Sequence, residues 1–129
     1  MSNPESCRYM KSHEWAAIEG ASARVGLSDH AQKEITDLVF IELPKVGRKI
    51  KQGEAVAVVE SVKAAFDFFA PLSGEVGAVN GELSGNPALV NSSPHDKGWF
   101  FQLKVSDPGE AKNLMDYAAY QDFLKTAAH

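Results

Sequence analysis

Cysteine is nearly absent: Cys7 is the only one in 129 residues. An intramolecular disulfide is therefore impossible, and a thiolate metal site has no basis. Long apolar runs are missing too, since no stretch approaches the roughly 18 to 20 residues that a membrane-spanning helix requires. Positive charge is in deficit, with thirteen Lys and Arg against seventeen Asp and Glu for a net −4. The chain thus offers no electrostatic footprint for nucleic acid or an anionic membrane. His13, His30, His95 and His129 fall at no metal-ligand spacing, so no metal is expected. The first ten residues, MSNPESCRYM, have neither the apolar core of a secretory signal nor the Arg/Ser-rich pattern of a transit peptide. The expectation is a cytoplasmic protein if the source is bacterial, or a mitochondrial-matrix protein after removal of a transit segment. Cys7 could pair with a histidine as a catalytic thiol, but its place in an expected mobile N-terminus argues against that.

What remains is a chain long enough for one domain with a working core. EWAAIEG and SARVGL flank Gly20-Ala21 and read as a hairpin. Ser28 and Asp29 supply cap and first-turn residues for a short helix running through Ile35. Strands are expected over 38–44, 55–61, 64–71, 74–80 and 99–105, broken by Pro, Gly, Lys and Ser. The last has Trp99, Phe101, Leu103 and Val105 on one face and Phe100, Gln102 and Lys104 on a wetter one. Several short strands at this spacing point to a small sandwich or barrel. Asp107, Pro108 and Glu110 open a C-terminal helical segment, one helix or two, with Leu114, Met115, Ala118 and Ala119 at helical spacing. A faint echo links VGRKIKQGEAVAVVES with VGAVNGELSGNPALVN, each running from Val-Gly through a turn into an apolar strand.

Lys63 is the cation between two of these strands, AVAVVES and AAFDFFAP. The spacing from Val59 to Phe66 allows a tight turn with Val62 and Lys63 near its apex. Alone, such a lysine reads as an exposed turn residue that blocks edge pairing.

The heptapeptide VESVKAA at 59–65 resembles the lipoyl-attachment motif of the glycine cleavage system H-protein family. SHEW at 12–15, VGLSDHAQ at 25–32, LVFIELPKVG at 38–47, PLSGEV at 71–76, NPALVNSSP at 86–94, GWFFQLKVSDP at 98–108 and YQDFL at 120–124 are similar to family segments in the family's order. The resemblance implies a mainly β hybrid barrel-sandwich as a single domain over 1–129. Its lipoyl-type core would span about 22–105, with a short helix after the first hairpin and a helical cap at about 107–125. It implies lipoate in amide linkage to Lys63. Glu60, three residues before that lysine, Gly47, sixteen before it, and Gly74, eleven after it, match positions that a lipoylating enzyme reads in the family, the glycines as turn formers. A dehydrogenase-complex lipoyl domain would show Asp-Lys-Ala and a biotin carrier Met-Lys-Met; here the triplet is Val62-Lys63-Ala64.

By the same resemblance the chain is a carrier without an active site, working as a monomer. A glycine decarboxylase (P-protein) loads its arm with an aminomethyl group, a tetrahydrofolate-dependent aminomethyltransferase (T-protein) unloads it, and dihydrolipoamide dehydrogenase (L-protein) reoxidises it. A lipoate ligase or lipoyl transferase attaches the cofactor. An aminomethylated arm is labile in water, so shelter in a cleft would preserve it, with Glu14 and Asp67 as carboxylates for its amine and Ser12 beside them. Glu34 stands where some members have a histidine. Phe66 replaces an expected small hydroxyl residue, and it and Phe69 read as sheet packing, with an apolar wall for the arm as the alternative. The basic cluster KVGRKIK at 45–51 reads as a solvated loop. Rival readings are an H-like protein that donates lipoate to other proteins, and an interaction module whose lysine stays unmodified.

Overall fold

The computed structural model describes residues 3–127. Among these residues nine strands form two antiparallel sheets. One has six strands: β1 (Arg8–Tyr9), β2 (Glu14–Glu19), β3 (Ser22–Leu27), β5 (Lys49–Ile50), β8 (Gly74–Val79) and β9 (Phe101–Val105), in the order β1-β2-β3-β9-β8-β5. The other has three, β4 (Leu38–Glu42), β6 (Ala55–Ser61) and β7 (Ala65–Phe69), in the order β4-β6-β7. The mainly β, sandwich-like expectation is what the sheets make.

Local chemistry explains the elements that were legible. Gly20 takes φ +59°, the left-handed turn conformation that glycine adopts without a Cβ penalty, and Glu19 pairs with Ser22 across it. The Ser28 hydroxyl accepts the Ala31 N–H at 3.1 Å and starts α1 (Asp29–Ile35), satisfying one of the helix's orphan donors. Val25, Phe101, Leu103, Val76, Phe68 and Leu72 are all fully buried in the space between the sheets, where Phe68 stacks on Phe100 at 4.6 Å.

Several expectations fail. In the second half of the echo, Leu89–Ser92 is a helical turn, α3, preceded by another, α2 (Glu82–Gly85); the Asn86 and Ser93 N–H groups donate to the Glu82 and Leu89 carbonyls and close each turn on itself, and each buries one apolar side chain, Leu83 or Val90. The last strand begins at Phe101 rather than Trp99, and Phe100 is buried instead of on the wet face. The C-terminal segment takes the two-helix form: after Pro108–Asn113, a 3₁₀ helix, residues 114–116 depart from their helical spacing because Met115 exchanges backbone hydrogen bonds with Tyr9. Only then does α4 (Tyr117–Ala127) begin.

Cys7 is not in a loose segment. It is 2% exposed in a second small core with Tyr9, Trp15 and Tyr120, and burial pushes its thiol up to about 12. A thiol held protonated is no nucleophile. This cluster fastens α4: Tyr9 stacks on Tyr120 at 4.2 Å, and the Tyr120 hydroxyl meets Ser28 Oγ at 2.7 Å and His13 Nδ1 at 2.8 Å.

Candidate functional site: the Lys63 turn and the Glu14 cleft

The β6–β7 hairpin turns over four residues. Ser61 N–H donates to the Ala64 carbonyl at 2.9 Å, and Ser61 Oγ accepts the N–H of Lys63 at 3.1 Å and of Ala64 at 3.3 Å. Val62 N–H donates to the Asp37 carbonyl at 3.1 Å, tying the turn to the entry of β4. Val62 and Lys63 therefore occupy the apex expected from the spacing, both exposed. The backbone under Lys63 has its hydrogen bonds satisfied within the chain, while the side chain is left to solvent.

Beside this hairpin lies a cleft of about 480 Å³, walled by Leu27, Ala31, Ile35, Val59 and Phe66 with polar groups from Ser12, His13 and Glu14. Glu14 is 1% exposed. One carboxylate oxygen accepts the Ser12 hydroxyl; the other accepts the Phe69 N–H at 2.8 Å. Burial nevertheless dominates and raises its pKa to about 7, against the opposing pull of those hydrogen bonds. The chain reaches this geometry through a turn at 10–14 in which His13 adopts φ +81°. That backbone position is uncommon for a residue with a Cβ, and it aims the His13 ring at Tyr120.

The remaining walls come from β7 and α1. Phe66 lies opposite Val59, and Val59 opposite Ile41, so all three share the core-facing side of the sheet. Phe66 packs opposite Val59 and, at 41% exposed, also lines the cleft, where the alternative of an apolar wall would place it. Phe69 lines the cleft too and supplies the N–H to Glu14. Asp67 lies opposite Val58, whose other neighbour is Glu42 across the central strand, so its side chain starts from the same outer face as Glu42. It borders both the cleft and a shallow groove with Glu42 and Val58. Glu34 lines the cleft rim and meets His30 at 3.2 Å. His13, Leu27, Ala31 and Ile35 escaped the sequence reading, although Ala31 and Ile35 sit four apart on α1, a spacing that places two apolar side chains on one helix face.

The family model described as Glycine cleavage H-protein matches residues 7–127. The chain is 54% identical over 123 residues to a glycine cleavage system H protein of Xanthobacter autotrophicus, covering 95% of this chain and 98% of that one. It is 49% identical over 116 residues to the Thermotoga maritima protein of the same name, covering 90% and 94%. The crystal structure of a glycine cleavage system H protein from Mycobacterium marinum superposes with a TM-score of 0.83 at 31% identity, over 98% of this chain and all of that one.

This chain belongs to the glycine cleavage H-protein family.

The other positions that match the family's pattern separate in the fold. Glu60 is exposed on β6, opposite Phe40 and Ala65, directly before the turn. Gly47 and Gly74 lie elsewhere, on the six-stranded sheet's β5–β8 edge. Gly47, at φ +93°, donates its N–H to the Val76 carbonyl at 2.7 Å and is a turn glycine as expected. Gly74 is not. It is the first residue of β8, paired with Ile50 and Val105, where a Cβ would fall 2.2 Å from the Lys104 carbonyl oxygen, so its missing side chain serves strand packing. In the 45–51 cluster Arg48 pairs with Glu54 at 3.0 Å. Among the described residues no group of three His, Cys, Asp or Glu could hold a metal ion. His95, 8% exposed, stacks on Trp15 at 5.2 Å and is held neutral by burial, its pKa pushed down to about 4.

Proposed function

We propose that this chain is the lipoyl carrier of the glycine cleavage system, with lipoate in amide linkage to Lys63. It would take the aminomethyl group from the glycine decarboxylase to the tetrahydrofolate-dependent aminomethyltransferase and be reoxidised by dihydrolipoamide dehydrogenase. The observation that carries this reading is one hairpin that holds an exposed lysine at its apex and walls a cleft containing a single buried carboxylate, Glu14.

The residues fit the group. Lys63 Nζ stands clear of the body on a turn with internal hydrogen bonds, so acylation requires no unfolding. The cleft's apolar walls suit a hydrocarbon arm, and Glu14 suits a cation at its end. When bound, lipoate supplies the redox-active disulfide on which the transfer chemistry runs. The chain's own residues do the rest. Ser61 and Asp37 hold the turn rigid, which fixes the arm's pivot. Leu27, Ala31, Ile35, Val59 and Phe66 exclude water, which slows hydrolysis of a labile cargo.

Glu14 is the selective element. With its pKa raised to about 7 by burial, this carboxyl in the unloaded cleft holds a proton far more readily than an ordinary glutamate. An incoming ammonium favours the ionised form, so docking a cationic cargo releases a proton and offsets the carboxylate's lost solvation. Ser12 and Phe69 N–H hold the carboxylate oriented for that partner. Glu60, Gly47 and Gly74 would serve recognition by the lipoate ligase or lipoyl transferase. The carrier would work as a monomer, in the cytoplasm if the source is bacterial; no described helix is long and apolar enough to cross a membrane.

Co-expression with a lipoate ligase, followed by peptide mass analysis, should place a lipoyl increment on Lys63. Lys63→Ala should then fold normally yet abolish glycine-dependent carbon dioxide release in a mixture with the decarboxylase. An unmodified Lys63, or full activity of the variant, overturns the reading.

A further inference from the structure

Three large apolar residues are left in solvent around the Lys63 turn: Val39 is 54% exposed, Phe40 47% and Val62 67%. Single exposed apolar side chains are ordinary, but a group of them marks a contact surface. These three are neighbours. Val62 is hydrogen-bonded to residue 37, Leu38 pairs with Ser61, and Phe40 pairs with Glu60. The register slips between Leu38 and Phe40, so Val39 and Phe40 together oppose the one residue Glu60. Such a bulge re-aims side chains out of the sheet's regular alternation. Here both are turned to water, beside the lysine.

The charged side chains of the segments that carry them are acidic apart from Lys63, while Lys45 and Arg48 line the groove next to Glu42 and Asp67. Segments 37–42 and 58–67 contain Asp37, Glu42, Glu60 and Asp67, and Lys63 is their sole base. All four carboxylates are exposed, and none enters a salt bridge among the described residues. A partner covering this surface would be apolar at its centre and basic around it.

We infer that Val39, Phe40 and Val62 form a collar on which the enzyme that acylates Lys63 docks, through an apolar rim carrying cationic side chains that face Asp37, Glu42 and Glu60. This rests on the reading of Lys63 as the attachment site. Reach selects that enzyme among the partners. An unmodified lysine extends about 6 Å from its Cα, five bonds of ordinary length, so catalytic groups acting on its Nζ must come down onto the turn and its collar. Enzymes that use the finished arm act at its far end and need not reach down to the turn. With a lipoyl-adenylate donor, Nζ forms the amide as the acyl–phosphate bond breaks, AMP leaves, and the amine's proton passes to water.

The test is the initial rate of Lys63 lipoylation on the full unmodified chain, with purified lipoate ligase, lipoate and ATP. Phe40→Ser should raise the KM for the protein substrate about tenfold, the loss expected for an interface anchor, with kcat nearly unchanged because the docked geometry at Nζ is the same. Val62→Ser, which touches no sheet pairing, should act in the same direction and keep the test open if Phe40→Ser folds poorly. Asp37→Asn with Glu42→Gln should flatten the salt dependence of kcat/KM. If the wild-type chain is not lipoylated, the carrier reading itself falls. Normal lipoylation of wild type and variants alike, with unchanged KM, overturns the collar alone. Variants lipoylated normally but poor in decarboxylase exchange give the surface to another partner, and also overturn it.

Discussion

Replacing Glu14 by glutamine tests whether the cleft is built around a carboxyl group that burial keeps from ionising. The group is 1% exposed, with a pKa raised from 4.5 to about 7 chiefly by desolvation. Between those two values the folded protein retains a proton that the unfolded chain releases, so stability falls as pH rises through that window and stays low above it. At about 1.4 kcal/mol per tenfold change in proton affinity, the cost above pH 7 is about 3 kcal/mol. Glutamine is never charged, yet its carbonyl can still accept the Phe69 N–H. The variant should therefore match wild type near pH 5 and exceed it at pH 8, by up to about 10 °C in melting temperature for a chain of this size.

His95 works with the opposite sign over nearly the same window. Its pKa is lowered from 6.5 to about 4, so its contribution is intact above 6.5 and is lost as pH falls toward 4. Wild type should consequently show a shallow pH profile, and only the difference between variant and wild type isolates Glu14. Thermal melts by circular dichroism at pH 5, 6, 7 and 8 measure that difference. A variant destabilised equally at pH 5 and pH 8 would show that the carboxylate is ionised and well solvated in the folded protein, and the account of cargo-driven proton release would fail with it.

Gly74→Ala should cost about 2–4 kcal/mol by urea unfolding, because backbone must shift to clear the Lys104 carbonyl. The Cys7 thiol should resist a disulfide reagent at pH 8 in native protein and react once denaturant is added, since its pKa is raised to about 12 by burial. The His95 ring should show no NMR titration between pH 8 and 5.5. Tyr120→Phe removes a hydroxyl shared by Ser28 and His13 and should destabilise the chain by about 1–2 kcal/mol in denaturant titration, with amide exchange quickened first in α4.

Much of this was legible because it is local. The Ser28 cap, the Gly20 turn, the apex position of Val62 and Lys63, and the Asp107-Pro108 start each depend on a few adjacent residues and their backbone preferences. The failures involve partners distant in sequence. Residues 114–116 carry helical spacing, but Tyr9 claims Met115 as a strand-like partner. Leu89 and Val90 look like a strand, but the turn they form sends Val90 into the core that also takes Leu83. Gly74 looks like a turn residue, and only the pairing of β8 with β9 reveals the carbonyl that requires it.

The sequence by itself determined that Lys63 would stand exposed between two apolar strands, since a four-residue reversal leaves its apex no neighbours to pack against. Tertiary structure decided what the cleft could do. Glu14 reads in sequence as one more carboxylate at a strand end. Its altered proton affinity arises because β2, β3, α1 and β7 close around it and remove its water, and desolvation is a property of everything that surrounds a charge.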